Sequence, residues 1–169
     1  RADAFLSVHP ESQNELRRIF TLKLATVRQG EEPTRRRAFR SEFTDDEWRL
    51  VTELADHPNR LLITATPEGS ETYAEVAHEA IFRRWGKLRE WIAAEREFLA
   101  WRTGLEADRR AWQEAPHELK TDALLMGFAL AQAVRWLGKR HKDIPRVDQD
   151  FIELSRQQAR WQKMRTLVA

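Results

Sequence analysis

One change of period constrains this chain more than any other feature. Residues 60–66 and 71–77 are short runs rich in β-branched and aromatic side chains, separated by Pro67, Glu68, Gly69 and Ser70. Those four residues have turn chemistry, so the pair predicts a β-hairpin. On both sides of it apolar residues recur at helical spacing, and no other strand signal of this strength follows. The hairpin therefore has to pack against helices, and the chain is expected to be mainly α.

Before the hairpin, Leu16, Ile19, Phe20, Leu24 and Val27 form one stripe with Gly30 just beyond it, predicting a first helix over residues 11–29. A basic connection follows, in which Phe39 and Phe43 can anchor a short extended stretch. Thr44 and Glu47 then have capping-box spacing ahead of Trp48, Val51 and Leu54, and Pro58 closes a second helix. A further helix is expected to start near His78. Helix, basic loop, helix, hairpin and helix is the order of a winged-helix domain with the hairpin as its wing, assigned here to residues 1–93.

Beyond it, Trp91, Phe98, Leu105 and Trp112 fall seven apart, with Leu88, Ile92 and Leu99 beside them. The spacing predicts a long helix with a coiled-coil-like seam that stops at Ala115 and Pro116. Residues 121–140 predict another helix. Residues 147–168 predict a last one, with Phe151, Ile152, Leu154, Trp161 and Met164 as its apolar positions. Residues 94–169 are thus expected to form a small antiparallel α-helical bundle.

The chemistry is marked mostly by what is missing. The chain has no cysteine, and its five histidines, at 9, 57, 78, 117 and 141, are scattered, so neither a disulfide framework nor a metal centre is expected. No apolar run approaches the roughly 20 residues that span a bilayer, and a cytoplasmic location with no membrane partner is expected. No phosphate-cradling glycine loop is present, and His78-Glu79 lacks the second histidine of a zinc-protease pair. No catalytic residue is assigned. The chain opens on Arg1 rather than methionine, which points to a segment of a longer polypeptide whose chemistry lies elsewhere.

Two sets of residues are candidates for interaction. Arg35, Arg36 and Arg37, with Arg83 and Arg84, could meet phosphates, and a winged helix invites the reading of a DNA-binding transcriptional regulator. Against it, the helix that would enter the major groove carries Asp45, Asp46, Glu47, Glu53 and Asp56 against a single Arg49. Five carboxylates repel a polyanion, so the winged helix is expected to serve protein contacts and the arginine run to be a solvated loop pairing with those acids. His78 is the second candidate. A lone histidine at a helix start is more often structural, yet amide groups of a helix N-terminus point outward there and imidazole can donate to an anionic oxygen. A purely structural helical adaptor, in which His78 only packs, is the third reading.

The run from Val76 to Ile92, with Val-Ala-His-Glu-Ala at 76–80 and tryptophans at 85 and 91, resembles the hallmark of the bacterial signal-transduction ATPases with numerous domains, the STAND class. The resemblance extends less strictly to Glu15–Phe20, to the arginine-rich connection and to residues 95–112. Gly86 stands where the family usually has proline, so a break after Trp85 is expected. The resemblance implies a non-catalytic module beside a nucleotide-binding domain and ahead of a sensor region, commonly WD repeats. It holds no cofactor of its own; the parent protein would bind ADP or ATP with Mg. In related apoptosome and plant resistance ATPases a histidine at the corresponding place contacts the β-phosphate of ADP, a role that carries over to His78 alone. Exchange for ATP would then release the module and permit a nucleotide-dependent homo-oligomer.

Overall fold

A computed structural model describes residues 1–169 and is 66% helical. The chain divides into two compact units, Arg1–Ala100 and Trp101–Ala169. No helix is long and apolar enough to cross a membrane.

The first unit opens with α1 (Ala2–Val8) and α2 (Gln13–Arg18). A 3-10 turn, Pro10–Ser12, leads into α2, and a wider π turn, Ile19–Lys23, continues it. The helix ends there, short of the expected residue 29. The Leu24 amide donates to the Ile19 carbonyl (3.1 Å), and β1 (Ala25–Thr26) then pairs antiparallel with β2 (Thr34–Arg35). Gly30, at φ +71°, belongs to the turn between these strands rather than to a helix cap. Leu24, Ala25 and Val27 are buried. Their apolar character gave the helical stripe, while β-pairing satisfies the same backbone groups and suits the β-branched Thr26 and Val27 better.

The next elements are β3 (Ala38–Phe39), α3 (Asp45–Ala55), β4 (Leu62–Ala65) and β5 (Tyr73–Val76). The expected capping box is present: Thr44 Oγ1 accepts from the Glu47 amide (3.2 Å) and Glu47 Oε1 accepts from the Thr44 amide (3.1 Å). The hairpin forms with the register Leu62 to Val76 and Ala65 to Tyr73, around Gly69 at φ +71°. Strand β3 adds to its far side, giving the order β3, β5, β4, all antiparallel. Leu16 of α2, Ile19 and Phe20 of the π turn, Val51 and Leu54 of α3, and Leu62 and Val76 of this sheet are buried in the core. Each contributes about 1.5–3 kcal/mol by leaving water.

After β5 the chain does not enter one long helix at His78. It makes a single turn, α4 (Ile81–Arg84), is extended at Trp85 (φ −88°, ψ 102°), and resumes as α5 (Gly86–Glu114). The break after Trp85 is thus present. The Trp85 ring is buried, edge-on to Phe20 (5.2 Å) and Trp91 (5.3 Å), and its Nε1 donates to Asp3 Oδ1 at 2.8 Å. Packing of this ring and satisfaction of its N–H fix the interruption.

In the second unit, residues 101–114 of α5 are followed by α6 (Gly127–Arg140) and α7 (Arg146–Val168). Arg109 meets Asp148, and three residues on in each helix Trp112 meets Phe151, so α7 runs in the direction of α5. Trp101 packs on Trp136 near the end of α6, which places α6 antiparallel between them in sequence. Helix α6 starts six residues later than expected: Gly127 is left-handed (φ +53°), and the Leu125 amide donates to Ser155 Oγ (3.1 Å) instead of to a helical carbonyl. Phe151 and Ile152 are core residues of α7 as expected, whereas Leu154, Trp161 and Met164 are exposed on another face.

Candidate functional site

The junction of β5 and α4 carries His78. The Ala77 amide donates to the Leu61 carbonyl (2.9 Å), one step beyond the Leu62 to Val76 pair. Continuing that register sets Arg60 opposite His78 at the open end of the hairpin. Arg60 is the only non-glycine residue with positive φ (45°), its amide bonded to the Asp56 carbonyl (3.0 Å). A left-handed residue with a Cβ costs roughly 1–2 kcal/mol, which the loop after α3 sustains through Leu61 N–H to Leu54 O (2.8 Å) and Asn59 Nδ2 to Glu53 O (3.0 Å).

His78 itself is exposed, and its ring has no hydrogen-bond or ionic partner within the fold; only its carbonyl is used, by the Ile81 amide (3.2 Å). With one helical turn following it, the helix-terminus argument made from sequence loses its force, since four residues supply little aligned dipole. What the structure provides instead is an open cleft of about 420 Å³ lined by His78, Asn59, Arg60, Arg84, Asp3 and Trp85, among others.

Neighbouring Glu79 has a definite structural task. Its Oε1 accepts from the Arg35 amide (3.2 Å) and lies 3.9 Å from Arg35 Nε, tying β2 to the junction. The other arginines of the run are engaged as well. Arg36 donates to the Lys23 carbonyl and to Glu42, both at 2.9 Å, and Arg37 lies 3.6 Å from Glu75 with its guanidinium 3.9 Å from the Tyr73 ring centre. The expectation that these residues pair with the acids of α3 is corrected: each has a different glutamate, on the β3–α3 connection, on β5 or at the junction. The α3 acids are met by Arg40, bonded to Asp45, and by Arg49, 3.3 Å from Asp46. Arg83 and Arg84 are exposed and unpaired, and of the two only Arg84 lines the cleft.

The profile of the family described as Novel STAND NTPase 1 matches residues 1–120, which takes in the whole first unit and α5. The chain belongs to this family. No curated protein and no solved structure matches the chain. For this STAND chain, sequence reasoning singled out His78 and the arginines but not Arg60 and Asn59, which line the same cleft as His78. Their signal is subtle: Asn59 follows Pro58 and Arg60 opens the first strand run, and only the fold brings them into one cleft with His78.

Proposed function

We propose that this chain is the regulatory module of a STAND-type ATPase switch, with no catalysis of its own. Its first unit reads as a winged helix: α3 packs on β4 of an antiparallel sheet ordered β3, β5, β4, with the β4–β5 hairpin as wing. In the resting state it closes over ADP held with Mg by a neighbouring nucleotide-binding domain, and His78 donates a hydrogen bond to a phosphate oxygen. The helices that follow relay the state to a sensor region, and ATP for ADP exchange opens the module for self-assembly.

The observation that carries this reading is the isolation of His78. Ala77 on one side and Glu79 on the other are both committed to the fold, while the imidazole between them is exposed and unpartnered beside an open cleft. A hydrogen bond to a charged group contributes about 1.5–3 kcal/mol, enough to shift a closed-to-open equilibrium by one to two decades if it forms only in the ADP state. The test is the nucleotide content of the full-length protein as purified, released by denaturation and separated chromatographically, for wild type and His78→Ala. ADP in the wild type and its loss from the variant is the expected result; equal retention by both refutes the role of His78.

A further inference from the structure

The cleft beside His78 is more cationic than a single histidine requires. Three arginines, Arg1, Arg60 and Arg84, line it with one acid, Asp3. One oxygen of that carboxylate is already occupied by the Trp85 indole N–H (2.8 Å). Neither Arg60 nor Arg84 has an ion-pair partner, although the arginines at 35, 36, 37 and 40 all do. Arg60 is placed there by backbone geometry: it is left-handed and directly precedes Leu61, whose carbonyl accepts from the Ala77 amide next to His78. Arg84 lines the same cleft from the turn Ile81–Arg84, while its neighbour Arg83 is exposed and does not line it. Arginines without an ion-pair partner around one concave site are suited to phosphate, whose oxygens take several N–H donors at once.

We infer that Arg60 and Arg84, together with His78, form a three-cornered seat for the diphosphate of a nucleoside diphosphate, Asn59 supplying an additional polar edge. The ligand as ADP rests on the reading above that His78 meets ADP; the anion seat itself rests on the cleft. Arg60 and His78 grip from the hairpin end and Arg84 from α4, so an anion bound between them also clips the hairpin to the start of the helical segment. Opening the switch then means releasing three donors together, and nucleotide retention is sensitive to the arginines as well as to the histidine.

The experiment compares Arg60→Gln, Arg84→Gln, Arg83→Gln and His78→Ala in the full-length protein, measuring ADP affinity by equilibrium dialysis. In parallel the 169-residue chain is titrated with inorganic pyrophosphate and followed by amide chemical shifts. Arg60→Gln and Arg84→Gln are each expected to weaken ADP binding by roughly fivefold, with Arg83→Gln unchanged. Pyrophosphate should shift the amides of residues 78–81 saturably in the wild-type chain, and in neither arginine variant. Loss of ADP from His78→Ala with wild-type affinity in both arginine variants overturns the seat and leaves the role of His78 intact. Equal ADP affinity in all four variants refutes the His78 reading and the seat for the nucleotide's diphosphate together, and the absence of saturable pyrophosphate binding overturns the seat whatever the ADP result.

Discussion

Asp148 shows at the level of one residue how burial and pairing compete. It is 2% exposed on α7 and accepts from Arg109 Nε at 2.5 Å. Burial pushes its carboxyl above the ordinary 3.8, and the hydrogen bond and charge of Arg109 reduce that shift without cancelling it. A carboxyl whose pKa is raised on folding binds its proton more readily in the native than in the unfolded state. Its contribution to stability therefore grows as pH falls from above the raised value toward 3.8, and is lost as pH rises through that window. Urea midpoints of wild type relative to Asp148→Asn, measured from neutral pH down to about pH 4, should move in favour of the wild type on acidification. Movement the other way would mean that the Arg109 pair dominates. Nothing in the sequence marks this pair, because Arg109 and Asp148 sit on helices whose mutual register no local pattern encodes. His78 was legible for the opposite reason: it lies within an unbroken local motif. The pairing of Arg60 with it was not, since that depends on the hairpin register.

Elements were readable where caps and turns are local. The Thr44 and Glu47 box, the Pro67 to Ser70 turn and the stop after Glu114 all lie where the sequence places them. Elements were misread where one apolar pattern suits two structures, as for residues 24–27, or where a backbone conformation overrides the pattern, as at Gly127. Thr44→Ala should lower stability by about 1 kcal/mol, because the Glu47 amide loses its acceptor, and thermal or urea unfolding checks it. Gly127→Ala separates backbone from packing effects. A Cβ there would meet no atom within 4 Å, so the expected loss of roughly 1–2 kcal/mol comes from the left-handed φ alone. A neutral outcome would show that the turn before α6 relaxes at no cost.

For the whole molecule, charge placement bears on whether the surface can hold nucleic acid. The chain carries 29 lysines and arginines against 27 acids, a net +2. Binding to duplex needs unneutralised cations in a contiguous row, since affinity comes from releasing counterions from several phosphates at once. Here the basic run is spent internally, Arg35 on Glu79, Arg36 on Glu42 and Arg37 on Glu75, and Asp45 and Asp46 are exposed at the start of α3. Arg60 and Arg84, which have no ion-pair partner, line a cleft of about 420 Å³ rather than extending that run. Electrophoretic mobility of a random duplex should therefore be unchanged by the chain at about 10 μM protein in physiological salt, within the range where nonspecific DNA binders act. Retardation that weakens steeply with added salt would overturn this, and would require the glutamate pairs of the arginine run to open in solution. Glu42→Gln and Glu79→Gln, which remove the negative charges opposite Arg36 and Arg35, provide the positive control: if internal charge pairing is what withholds the run from phosphates, these variants should retard the duplex at low salt where the wild-type chain does not.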